Sequence, residues 1–354
     1  LSPSKRLHGT EGQARRLLSD LVTSLSTRTK QDGNALTNIL EKFIFLAQEI
    51  AQQEGVETSM KIKALLCELN DYPSGNSFAY VVNKYWEAFD TGNDVLKNSA
   101  IKWLKGEYST KTDTMKDLGI RDFLNDASFY NTLKLYSIFV KKAGYKGLLV
   151  NLDEMVNLYK NPNSVSRKMN YEEILSILND TLQGTISNIG FIMSGTPEFL
   201  TDTRRGLYSY EALRSRLAEN SFSKQLGLTD YNSTVLRLAN LSKEELYVLL
   251  KNLRNVFAKG NEKDFLVPDE ALIAYMNYCA NKIGDSYFRT PRNTIKGFLD
   301  LLSILEQYPS LKWDDIIQKI EIKKDVEPTE IENTLTSYGE LNTNEEDEFA
   351  TFKL

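Results

Sequence analysis

The sequence predicts an α/β fold with a parallel sheet, a large helical insertion and a C-terminal all-helical domain. Three observations carry that prediction. Short apolar runs stand at residues 147–154, 189–196 and 234–238, with a helical stretch between the first two. That is the pattern of buried parallel strands joined by helices. Residues 10–143 have helical periodicity and nothing that reads as a strand, and the helical period returns from Ser242 to about Lys319.

The elements come in this order along the chain. Leu1–Pro3 reads as the end of a strand running into a loop. Thr10 stands three residues before Gln13, a capping-box pattern, ahead of Leu17, Leu18, Leu21 and Leu25 at helical spacing. A helix over about 35–53 places Ile39, Leu40, Phe43, Leu46, Ala47 and Ile50 on one face. Further helices are expected over 59–70, 77–89, 94–104 and 129–142. Asp71-Tyr72-Pro73-Ser74-Gly75 and Thr91-Gly92-Asn93 separate the first three. The aromatics Tyr80, Tyr85, Trp86, Phe89 and Trp103 are expected in the core rather than on a partner surface. A helix over about 171–186 joins the first two apolar runs. Ser242 caps a helix carrying Leu246, Leu249, Leu250 and Leu253. The boundaries that result are 1–240 for the α/β body, with its helical insertion at about 55–125, then 241–324 for the helical domain. An acidic tail, expected to be disordered, occupies 325–354.

Composition narrows the chemistry. Lys+Arg 43 against Asp+Glu 48 gives a net charge of −5, and residues 325–354 hold nine acidic residues against one Lys. The rest of the chain is therefore close to neutral, and a nucleic-acid role needs a local basic patch or a partner. Lys5-Arg6 and Arg15-Arg16 are the basic clusters on offer, although solvated helix faces account for them equally. One His (His8) and two Cys (Cys67, Cys279) exclude a zinc site, a Cys-His dyad and a disulfide framework. Unpaired cysteines fit a reducing cytosol. With no apolar run near the roughly 18 residues of a membrane span, a soluble cytoplasmic protein is expected.

The first apolar run ends in Asp153-Glu154, which places two carboxylates at the C-terminal edge of a strand, where open α/β sheets bind ligands. In P-loop ATPases such an Asp holds Mg²⁺ and the adjacent Glu polarises the attacking water. Asp153 and Glu154 suit those roles, and a strand ending in two solvated acids has the same pattern. The second run ends in Ser194-Gly195-Thr196-Pro197-Glu198. If the two strands are adjacent, a hydroxyl of Ser194 or Thr196 stands beside Asp153, where it can bond a γ-phosphate or the attacking water. Downstream, Arg214 and Arg216 offer planar, permanently charged groups suited to a transferring phosphoryl group. Arg289-Thr290-Pro291-Arg292 opens a helix, with Arg292 at its start.

The order of these parts is that of AAA+ ATPases, and the C-terminal three-fifths resembles an AAA+ ATPase close to the origin-recognition type. More specifically, Leu1–Thr10, Leu149–Glu154, Gly195-Thr196-Pro197-Glu198-Phe199, Thr290-Pro291-Arg292 and the ending Phe349–Leu354 resemble a bacterial P-loop family. That family includes the ATP-binding proteins of BREX-type phage-resistance loci. The resemblance implies ATP and Mg²⁺ bound between the sheet edge and a helical lid, with Asp153 on the metal and Glu154 activating water. Ser194 or Thr196 would sense the γ-phosphate, and Arg292 would link the nucleotide to the lid. Arg216, with Arg214 or Arg204/Arg205 as alternatives, would act on a neighbouring subunit's nucleotide. Partners are then other subunits of a defence complex and further copies of the chain. DNA contact would be indirect or non-specific.

One departure stands out. No G-x-x-x-x-G-K-[ST] occurs in the sequence, and Gly106–Thr112 only mimics it, having no second Gly before Lys111 and no preceding strand. The expectation is a chain whose phosphate-binding loop lies upstream of Leu1, in a segment the fold needs for stability. A degenerate ATPase is the alternative. A non-catalytic scaffold and a DNA-binding initiator-like loader are the competing functions.

Overall fold

The computed structural model describes residues 1–2, 4–284 and 291–319. The chain divides into two compact units, Leu1–Leu236 and Arg237–Leu354.

The first unit opens with a helical body: α1 (Gln13–Thr23), α2 (Leu36–Glu54), α3 (Thr58–Leu66), α4 (Gly75–Thr91), α5 (Asp94–Leu104), α6 (Lys111–Leu118) and α7 (Phe129–Lys142). Each helix turns an apolar stripe inward, and the stripes share one core. Phe78 sits at its centre, edge-on to Tyr136 at 5.2 Å and to Phe139 at 5.7 Å, while Phe43 meets Phe139 at 5.3 Å. Each ring withdrawn from water is worth about 1.5–3 kcal/mol, and edge-to-face contact adds about 0.5–1.5 kcal/mol. Tyr85, Trp86 and Trp103 are buried as expected, whereas Tyr80 is exposed.

Helix α1 starts differently from its expected capping box. Gly12 is the residue before it, with no side-chain cap, and Thr10 contributes only its carbonyl to Gln13 N–H. A distant carboxylate takes the place of the cap: Asp126 accepts from Gly12 N at 2.7 Å and from Arg15 N at 2.8 Å. An anion there satisfies free N–H groups and complements the helix dipole. Gly106–Thr110 is a link between two helices, and Thr110 caps α6 through Asp113 N.

Two strands come next. β1 (Leu148–Leu152) and β2 (Ile189–Met193) pair in parallel, bridged by α8 (Val156–Tyr159) and α9 (Ser164–Gln183). Val150 and Leu152 are buried on the face that meets α7, and Phe191 touches Tyr130 edge-on at 6.2 Å. Among the described residues nothing covers the opposite face, where Leu149 is 60% and Ile192 56% exposed. The unit continues through α10 (Pro197–Thr201), α11 (Glu211–Arg216) and α12 (Ser221–Leu226).

The expected third strand is absent. Residues 234–238 are irregular: Thr234 Oγ1 donates to Arg216 O, Val235 packs on the core, and Leu236 is exposed. A strand needs a neighbour to take its N–H and C=O groups, and among the described residues β1 and β2 pair only with each other. Leu1 and Ser2 are likewise not in a strand, and Pro3 lies outside the described residues.

The α-helices of the second unit's described residues are α13 (Lys243–Phe257), α14 (Asp269–Ile283), α15 (Pro291–Gln307) and α16 (Trp313–Ile317), and no strand occurs among them. Ser242 and Glu245 form the reciprocal capping box of α13. The buried Arg254 donates to Val267 O at 2.9 Å and to Asp269 Oδ1 at 2.5 Å, and stacks over Phe265. The tail 325–354 lies outside the described residues. No helix among those described is long and apolar enough to cross a membrane.

Candidate functional site

Parallel register decides where the carboxylates stand. Leu152 pairs with Met193, so residues 153 and 194 leave the sheet together at its C-terminal edge. The ladder runs on beyond the strands: Ser194 N donates to Leu152 O and Met155 N to Ser194 O, each at 2.9 Å. Side chains meet as well. Ser194 Oγ donates to Asp153 Oδ1, which also accepts from Glu154 N at 2.7 Å. The Ser194 hydroxyl first, and then the Glu154 N–H, hold the Asp153 carboxyl below the usual carboxylate range.

Asp153 and Glu154 are both exposed, while the next residue, Met155, is fully buried. The reversal is made at Glu154, whose φ of 56° lies in the left-handed region. Few non-glycine residues adopt it, and among the described residues Glu11, Asn34, Ser74, Asn188 and Lys259 share it. On the near side, Leu1 N donates to Asp153 O at 2.6 Å and Asn157 Nδ2 donates to Leu1 O at 2.5 Å.

The other expected residues are placed less closely. Thr196 is the residue before α10, with Pro197 in the first turn and no side-chain cap bond. Arg214 is exposed on α11, and Arg216 turns back to its own helix, donating to Ala212 O at 2.8 Å. Among the described residues, no hydrogen bond or ion pair joins either arginine to the carboxylates. Arg205 donates to Tyr159 O at 3.3 Å, whereas Arg204 is exposed. Arg292 is exposed in the second unit. Arg289 and Thr290 lie outside the described residues. No three His, Cys, Asp or Glu side chains group into a metal cage among the described residues.

Sequence reasoning missed the residues that hold this region in place. Asn170 is fully buried on α9; its Oδ1 accepts from Leu7 N at 2.8 Å and His8 N at 3.1 Å, and its Nδ2 donates to His8 O at 2.9 Å. It pins residues 7–8 as a strand neighbour would. The signal was an amide on the apolar face of its own helix, beside Tyr171 and one and two turns before Ile174 and Ile177. Asn157 and the pair Tyr159–Asp202 carried no local signal at all.

No curated protein and no solved structure matches the chain. One protein family does, described as BREX system ATP-binding protein BrxC/D, and its match runs over residues 1–321. That span includes Leu149–Glu154, Gly195–Phe199 and Thr290–Arg292, and stops short of Phe349–Leu354. With so much of its length matched, this chain belongs to the BREX system ATP-binding protein BrxC/D family.

Proposed function

We propose that the edge formed by Asp153, Glu154 and Ser194 is the metal- and water-handling end of an ATP-hydrolysing site of AAA+ type, working in a phage-defence complex. The supporting observation is the Ser194 hydroxyl bonded to Asp153 across two parallel strand ends. Asp153 is an ionised carboxylate at an open edge, suited to Mg²⁺. A bound Mg²⁺ supplies neutralisation of phosphate charge. Glu154, exposed beside it, accepts a proton from an attacking water, and Thr196 offers a hydroxyl to the terminal phosphate. Arg216 or Arg214 completes the site of a neighbouring copy, and Arg292 senses nucleotide from the helical domain, which serves as a lid. The group acts in the cytoplasm with other subunits of the defence system, and any DNA contact is indirect or non-specific.

These residues fit one end of the nucleotide. A second reading is a nucleotide-binding scaffold without turnover, and the extensive helical body at residues 13–142 is the feature that supports it. One experiment separates the two. ATP binding and steady-state hydrolysis are measured on the full-length protein beside Glu154→Gln, with and without duplex DNA. The proposal expects Glu154→Gln to bind Mg²⁺-ATP and to lose turnover by about a hundredfold or more. Binding without turnover in the unaltered protein establishes the scaffold instead.

A further inference from the structure

We propose that Asp202 is a positioning residue: it locks the loop carrying Asp153 and Glu154 to the loop after Ser194, and passes that constraint to α11. The proposal rests on the reading of Asp153 and Glu154 as working groups.

The geometry begins with two short helices. α8 starts two residues after Glu154 and ends at Tyr159, and α10 starts three residues after Ser194 and ends at Thr201. The two helices pack on each other. At their ends the Tyr159 hydroxyl donates to Asp202 Oδ2 at 2.9 Å. The other carboxylate oxygen accepts from Arg204 N at 2.7 Å and Arg205 N at 3.3 Å. Arg205 then closes a ring, its guanidinium donating to Tyr159 O at 3.3 Å and lying 5.3 Å from the Tyr159 ring centre. From α9, the buried Tyr171 donates to Arg205 O at 2.7 Å.

The segment beyond Asp202 is equally constrained. At Gly206 a Cβ would lie 2.7 Å from Glu198 O and 2.8 Å from Asp202 O, so only glycine lets the chain double back over α10. The chain then makes a tight turn at Leu207–Ser209 and enters α11, which bears Arg214 and Arg216. One carboxylate thus ties the segment after β1 to the stretch that runs from β2 through α10 toward α11. The Arg204 N–H first, with help from the Tyr159 hydroxyl and the Arg205 N–H, keeps Asp202 below the ordinary carboxylate range. It stays anionic, so it accepts from all three donors at once. The arrangement also gives Arg205 an internal task and leaves Arg204 and Arg214 as the exposed arginines of this stretch.

A simple turn cap would stabilise the fold without touching chemistry, and the experiment separates the two. Tyr159→Phe, which removes one hydroxyl, and Asp202→Asn are compared with the unaltered full-length protein. The readouts are kcat, KM for Mg²⁺-ATP, thermal midpoint and amide hydrogen exchange at 153–160 and 194–206. The expected result for Tyr159→Phe is faster exchange in both loops together and kcat lower by about tenfold or more, with KM and the thermal midpoint nearly unchanged. Unchanged kcat with faster exchange reduces Asp202 to a turn cap and overturns the proposal. So does exchange that rises in 194–206 alone. If the unaltered protein has no turnover, the hydrolytic reading of the carboxylates fails by itself, and the paired exchange response then decides whether the lock exists.

Discussion

The helical body at residues 13–142 and the strand region at 148–236 share one hydrophobic core but cover their apolar residues to different degrees. The body leaves a few such as Phe45 and Val95 exposed, and the strand region buries Val150, Leu152, Tyr171 and Phe199 while leaving more of its large apolar side chains in the open. In the body, Phe43, Phe78, Trp103 and Phe139 are all buried. In the strand region, Leu149, Ile192, Phe222, Leu226, Leu228, Tyr231 and Leu236 are exposed. A helix meets its backbone hydrogen bonds internally, so it needs neighbours only for its apolar stripe. A strand needs neighbours for both its backbone and its faces. The body is therefore held by packing. The strand region packs one side into that core through Val150, Leu152, Ile174 and Phe199 and adds polar fixings at Asn170, Asp202 and the Ser194–Asp153 bond, and it is there that two exposed carboxylates stand together.

Four substitutions test that division, and the largest effect belongs to the body. Phe78→Ala should lower unfolding free energy by about 3–5 kcal/mol, read by denaturant melting of the full-length protein. A loss below about 1 kcal/mol would show that the core is not organised around this ring. Next comes a polar fixing. Asn170→Ala strands the N–H groups of residues 7 and 8 and should cost about 2 kcal/mol or more, with amide exchange at 7–8 rising to solvent-like rates. Protection that survives the substitution would rule out the amide as the pin. The smallest effect is expected on the exposed sheet face, where Leu149→Thr and Ile192→Thr should each stay within about 0.5 kcal/mol. A loss above about 2 kcal/mol would mean that this face is covered in the full-length protein, and the contrast between the two regions would narrow.

Legibility divided along the same line. The helices at 94–104 and 129–142 are legible to the residue, because their apolar stripes and end signals are local. The Ser242 capping box is legible for the same reason. The first two apolar runs form adjacent strands, but the run at 234–238 does not, since strand formation depends on a partner that no local pattern reveals. Thr10 misleads because a carboxylate more than a hundred residues away, Asp126, takes over the end of α1. At the site, the residue types at 153, 154 and 194 can be read from the chain. The fixings around them cannot: Tyr159 and Asp202 are 43 residues apart in sequence, and nothing near either one announces the other.

The left-handed backbone at Glu154 has a consequence for how this position is chosen. A non-glycine residue held there gives up about 1–2 kcal/mol relative to an unstrained backbone, and asparagine or glycine would fit more comfortably. Selection for stability alone would favour either of those. Libraries selected only for melting temperature should therefore drift from glutamate toward asparagine or glycine at this position.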